Sequence, residues 1–97
     1  QWTPVGTSQG TTNNGWVSMK FNTTSQPWIA YADGTLNSYV VKYFNVTSWL
    51  SVGLPQGNTP IGVGIDIAFH PQNNNAYIVF TDGTASAYRV MYFKIRF

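Results

Sequence analysis

The 97-residue chain has no cysteine and no glutamate. Without cysteine there is no disulfide framework and no thiolate chemistry. The acids are Asp33, Asp66 and Asp82 alone, and His70 is the one histidine. General acid–base catalysis needs a tuned pair of titratable groups, and this set is too thin to supply one. No nucleophile-elbow motif is present. No His, Cys or carboxylate cluster has metal-ligand spacing, so no metal and no cofactor is expected. The chain therefore reads as a non-enzymatic protein. Charged residues make up only 8%. The basic residues Lys20, Lys42, Arg89, Lys94 and Arg96 form no run, which is a poor footprint for nucleic acid. No apolar stretch approaches the roughly 18–20 residues of a membrane span. No dozen residues carry the i, i+3, i+4, i+7 apolar spacing of a helix.

Aromatic residues, in contrast, reach 16%. They recur in order. Trp2-Thr-Pro-Val-Gly6 returns as Trp49-Leu-Ser-Val-Gly53, and Asp33-Gly-Thr35 as Asp82-Gly-Thr84. Tyr39-Val-Val-Lys-Tyr-Phe44 returns as Tyr88-Arg-Val-Met-Tyr-Phe93. The offset is 47 at Trp2/Trp49, 48 at Phe21/Phe69 and 49 at Asp33/Asp82. A period of about 40–50 residues in an all-β chain points to propeller blades. Short β-rich runs predict strands at 16–21, 28–32, 39–46 and 49–53, then at 64–69, 76–81 and 87–95. The second copy lacks a fourth strand; its counterpart is the segment 2–6 at the other end of the chain. The predicted fold is all-β, with two four-stranded propeller blades per chain in a single unit of residues 1–97. Repeat 1 covers 2–48 and repeat 2 covers 49–97, and residues 2–6 act as the fourth strand that closes a blade. Tyr39, Val41 and Tyr43 point one way and Val40 and Phe44 the other, so the third strand needs packing partners on both faces. Two blades cannot close a ring. The chain is expected to associate with itself, most simply as a trimer giving a six-bladed ring.

Asp33-Gly34 and Asp82-Gly83 are expected to supply the positive-φ positions of tight hairpins. Gln26-Pro27 and Asn73–Asn75 mark the hairpin between first and second strands. The long connections 7–15 and 54–62 hold Gly10, Gly15, Gly57 and Gly62, all repeat-matched. A ligand is expected on the face that these loops share with 33–38 and 82–86. Trp2 and Trp49 recur and read as blade-packing residues. Trp16 and Trp28 do not recur as Trp. Trp16 leaves the Thr7–Gly15 loop, where an indole could stack on the apolar face of a sugar while amide and hydroxyl groups hold its hydroxyls. The residues assigned to such a site are Trp16, Asn13, Asn14, Asp33, Thr35, Asn37, Asp82, Thr84 and Arg89. The alternative for Trp16 is a plug between blades. Asp66 replaces Ser18 of the first copy and is expected to face the channel or pair with Lys20. Arg89 replaces Val40 and needs a partner or a ligand. Two glycosylation sequons, Asn22-Thr-Thr24 and Asn45-Val-Thr47, are present. The first residue is Gln1, so the chain reads as a processed mature chain or a piece of something longer.

Trp28-Ile-Ala-Tyr-Ala-Asp33, Val41-Lys-Tyr-Phe44 and Thr47-Ser-Trp-Leu-Ser-Val-Gly53 resemble the blade repeats of bacterial and algal extracellular β-propellers. In construction the chain is similar to short two-blade lectins that trimerise into a six-bladed ring, such as the fucose-binding lectins of plant-pathogenic bacteria. Their sugar sites use an Arg, a Glu and a Trp. This chain has no Glu, so the resemblance implies the construction and not the site residues. It implies an extracellular, lectin-like oligomer with a glycan as ligand. The rival class is a structural or engineered propeller module with no ligand of its own.

Overall fold

The computed structural model describes residues 1–10, 16–57, 64–83 and 87–94. Asn13, Asn14 and Thr84, three of the predicted ligand residues, lie outside them. The described residues are all-β, with two antiparallel sheets and no helix. The first sheet runs in sequence order: β1 (Val17–Phe21), β2 (Pro27–Asp33), β3 (Ser38–Phe44) and β4 (Trp49–Ser51). The second holds β5 (Ile65–Phe69), β6 (Ala76–Asp82) and β7 (Ala87–Phe93). All seven agree with the sequence-predicted strands to within a few residues.

The register sorts the side chains into faces. Trp28, Ala30 and Ala32 of β2 stand opposite Tyr43, Val41 and Tyr39 of β3. In the second sheet, Ile65, Ile67 and Phe69 of β5 stand opposite Phe80, Ile78 and Ala76 of β6. These two faces pack on each other to form the core. Tyr39, Phe80 and Ile67 are its most deeply buried large side chains. The Tyr39 and Phe80 rings lie 4.8 Å apart. Tyr39 also reaches across the gap and donates its hydroxyl to the Thr81 carbonyl at 2.8 Å. Burial first, and the Asp82 carboxylate second, push its phenol above the ordinary value, so it stays protonated as a donor. Trp28 is sealed between Tyr43 (centroids 5.5 Å) and the edge of Phe69 (4.9 Å). It is a core residue and not a platform for a sugar.

The β2–β3 hairpin uses a different device from the one its Asp-Gly pair predicts, and the Asp82-Gly83 hairpin runs into 84–86, outside the described residues. Asp33 pairs with Ser38, which leaves a four-residue loop. The Asp33 carboxylate accepts N–H bonds from Thr35 (2.9 Å) and Leu36 (3.0 Å). That side-chain turn holds Gly34 on the ordinary side of the φ map, and the left-handed residue is Asn37 (φ 52°) at the loop's end. Asn22 does the same work between β1 and β2, accepting from the N–H groups of Thr24 (3.1 Å) and Gln26 (2.8 Å), with Ser25 left-handed. Asn45 accepts from Thr47 and Ser48 between β3 and β4. Both sequon asparagines are thus turn caps. Asn22 is buried, and its amide nitrogen donates to Gln26.

Residues 1–10 form no strand in the single chain, and Trp2 is fully exposed. Its expected packing role is unfilled there, and the sheet formed by β5, β6 and β7 has three strands. Segment 1–10 instead lies on the outer face of the first sheet. Gly6 approaches Phe44 and Trp49, Gly10 approaches the Tyr31 ring, and Lys42 donates to the Gln9 side chain at 2.7 Å. Segment 53–57, which follows β4, lies on the second sheet in the same manner. Gly53 approaches Phe93, and Gly57 approaches Phe80 and Tyr39. All four glycines have φ between 65° and 70°.

A Cβ on Gly57 would meet Phe80 at 2.6 Å and Tyr39 at 3.3 Å, in a left-handed backbone conformation. Gly57→Ala therefore combines backbone strain with overpacking of the core. It should destabilise the fold by about 2–4 kcal/mol, measured as a lowered urea midpoint at unchanged slope.

Candidate ligand site at the Trp16 cleft

Trp16 leads into β1. Its carbonyl accepts from the Ala32 N–H at 3.1 Å, as the Gly64 carbonyl accepts from Thr81 at 3.3 Å ahead of β5. The backbone path is therefore the same in both repeats, and only the side chain differs. The indole lies over Gly64, where an added Cβ would touch its ring at 3.6 Å. The indole bridges the two sheets yet stays half exposed, at 49%. It forms one wall of a shallow cleft of about 290 Å³. Asp66, Val79, Thr81 and Tyr88 line it together with Ile65 and Phe80, and Tyr88 is 82% exposed. Two open aromatic surfaces beside a carboxylate and a hydroxyl suit a polyhydroxylated ligand with apolar faces.

Asp66 is held in place from three directions. Ser18 of β1 donates to it at 2.6 Å, its neighbour Ile67 donates its N–H at 2.8 Å, and Lys20 lies 3.5 Å away. The Ser18 bond, then the Ile67 N–H, hold its carboxyl below the ordinary value of 3.8, with Lys20 a smaller contributor. The expected pairing with Lys20 is present, but exposed ion pairs are weak and the short hydroxyl bond matters more. Ser18 and Asp66 are repeat counterparts, so this bond joins equivalent points of the two sheets.

The remaining predicted residues lie elsewhere. Asp33, Thr35 and Asn37 sit together in the β2–β3 turn, with Asp33 buried and Thr35 and Asn37 exposed. Asp82 is buried and forms an ion pair with Arg89 at 2.5 Å. Arg89 thus has its partner within its own hairpin. None of these five lines the Trp16 cleft. Asp66 and Tyr88 do line it and were not among the predicted site residues. The signal for Asp66 was a charge standing where the other copy has Ser18. For Tyr88 there was no separate signal, because its counterpart Tyr39 reads as core.

A second cleft of about 300 Å³ opens between the sheets at their other end, lined by Val41, Val52, Gly53, Ile78, Met91 and Phe93 among others. Gln56 and the Tyr92 phenol are the polar side chains of an otherwise apolar lining, so it suits an apolar group rather than a sugar. Among the described residues no three His, Cys, Asp or Glu side chains gather as metal ligands, and no helix is long and apolar enough to cross a membrane. Compared with protein-family models, curated proteins and solved structures, the chain finds no match.

The Ser18–Asp66 bond should make part of the stability pH-dependent. The carboxyl is lowered in the folded state, so its contribution is full above its ordinary value and is lost as pH falls through the lowered one. Urea midpoints at about pH 5 and about pH 2 should differ more for the wild type than for Asp66→Asn.

Proposed function

We propose that the chain is a non-enzymatic, glycan-binding subunit of a homo-oligomeric β-propeller, contributing two blades to a ring. A trimer with six blades is the favoured assembly. The observation that carries the reading is the mismatch in burial between repeat-equivalent faces. Trp28, Ala30, Tyr39, Val41 and Tyr43 are covered by the second sheet. Their counterparts Tyr77, Val79, Tyr88, Val90 and Tyr92 form the outer face of that sheet and are open. Tyr39 is 1% exposed and Tyr88 is 82%. At the opposite end, Val17, Met19 and Phe21 are open, whereas their counterparts Ile65 and Ile67 are buried and Phe69 is partly buried. One open face therefore has the makeup of each half of the internal interface. A head-to-tail contact of this kind propagates and closes as a ring. A fully buried side chain of this size contributes about 1.5–3 kcal/mol over an exposed one, so a single chain leaves a large stabilisation unrealised.

The glycan half rests on the Trp16 cleft. Ring closure would draw Tyr88 into the place that Tyr39 holds inside the chain, leaving Trp16 and Asp66 at the rim. The rival reading, a structural module with no ligand, is favoured by the commitment of Asp33, Asp82 and Arg89 to turns and ion pairs.

A glycan array followed by calorimetry separates the two. Trp16→Ala should weaken a glycan hit by about 1–3 kcal/mol with the assembly mass unchanged. Tyr88→Asp should dissociate the assembly in light scattering. Absence of any glycan hit leaves the structural reading, and a monodisperse 10.8 kDa species for the wild type removes the ring.

A further inference from the structure

We propose that residues 2–9 of a second copy of this chain complete the second sheet as its fourth strand, anchored by the partner's Trp2 in the apolar cleft beside Phe93. The inference deepens the ring reading above and is independent of any ligand. It assigns a segment, an edge and a register.

The template is the contact that β4 and its following loop make in the first repeat. There Phe44 pairs with Trp49, Tyr43 with Leu50 and Lys42 with Ser51. The offset of 49 carries β3 onto β7, and the offset of 47 carries segment 2–10 onto 49–57. The register on β7 is then Phe93 with the partner's Trp2, Tyr92 with the partner's Thr3, and Met91 with the partner's Pro4.

Proline tests this register, because it has no N–H to donate. Val52 donates to the Val41 carbonyl at 2.8 Å, so the adjacent Lys42–Ser51 pair is not hydrogen-bonded and the Ser51 N–H points away from β3. Pro4 falls at the Ser51 position, where an edge strand loses no ladder bond. A shift by one residue would place it where a donor is needed.

Trp2 supplies the second argument. In the first repeat the Trp49 indole lies 5.2 Å from the Phe44 ring and donates to the Val5 carbonyl at 2.9 Å. The equivalent receptor for the partner's Trp2 is the Phe93 ring with the Val52 carbonyl. Val52, Gly53 and Phe93 all line the open cleft of about 300 Å³. The receptor is apolar and open, and the ligand's indole is fully exposed. Neither needs the other for the single chain to fold. Further along, Gln56 exchanges two backbone bonds with Tyr39, at 2.8 and 2.9 Å. The partner's Gln9 would bond the exposed Tyr88 in the same way. Residues 2–9 therefore have a counterpart contact at both ends of the segment.

Cysteine cross-linking tests the register directly, since the chain has no cysteine of its own. Paired positions off the ladder bonds have Cα atoms about 4.5 Å apart, within disulfide range. Pro4→Cys combined with Met91→Cys should give reducible disulfides between chains under mild oxidation. Pro4→Cys with Tyr92→Cys, whose side chain points to the other face, should not. Trp2→Ala should raise the concentration of half-dissociation by at least about tenfold while leaving the circular dichroism of the chain intact. A disulfide closed within one chain, or none at all, overturns the proposal. So does an assembly indifferent to Trp2→Ala. If light scattering still finds the wild-type oligomer in either case, the ring stands and only the strand assignment falls. A monomeric wild type removes both.

Discussion

The third strand of each repeat carries apolar side chains on both faces, and most of the structure follows from that. A sheet wet on one side can present an alternation of apolar and polar residues. β3 cannot, because Tyr39, Val41 and Tyr43 lie on one face and Val40 and Phe44 on the other. The chain meets this demand in two ways. One face is covered by the second sheet, with the Tyr39 ring tilted against Phe80 and its hydroxyl hydrogen-bonded to Thr81. The other is covered by segment 1–10, whose glycines approach Tyr31 and Phe44 closely. β7 has apolar residues on both faces too, and among the described residues none covers its outer face, where Tyr88, Val90 and Tyr92 are exposed.

Low charge is consistent with the same construction. Most of the charged groups that the structure describes tie parts together. Asp66 takes the Ser18 hydroxyl from the neighbouring sheet, Asp82 takes Arg89 within its hairpin, and Lys42 takes Gln9 from the N-terminal segment. Turns are held by Asn and Asp side chains that accept backbone N–H groups, with Ser25, Asn37, Val46 and Asn74 in the left-handed region. This chemistry explains a surface rich in Asn, Thr and Ser. It also explains the two Asn-x-Thr sequons without a glycan, since in both the threonine hydroxyl and N–H return to the asparagine.

The proposed assembly and the proposed ligand recognition draw on different parts of the molecule. The open aromatic rows lie on the sheet faces, where the proposed association would bury them. The Trp16 indole lies at the lead-in to β1, over Gly64, and its environment is defined by the internal junction of the two sheets. A change at one can therefore be read without a change at the other. Val79 and Tyr88 are the exceptions, since both border the cleft and belong to the open face.

The amino-acid sequence by itself determined the strand set and the repeat, because alternation and punctuation are local and the two copies state them twice. It also marked the charge at Asp66 and the unmatched Trp16. It misplaced the left-handed residue of the β2–β3 turn, because the choice between Gly34 and Asn37 depends on where the Asp33 carboxylate points. Trp28 and Trp16 both stand unmatched in the repeat, and the sequence set Trp16 apart only by its place at the exit of the Thr7–Gly15 loop. Packing separates them outright, since one is enclosed by Tyr43 and Phe69 and the other lies across a glycine at the surface. Arg89 needed a partner on any reading, and only the hairpin register brings it diagonally onto Asp82. Tertiary structure alone decided which of two equivalent faces is buried. Both have the same residue pattern, and their difference lies in having a neighbouring sheet, which no local property of the chain encodes.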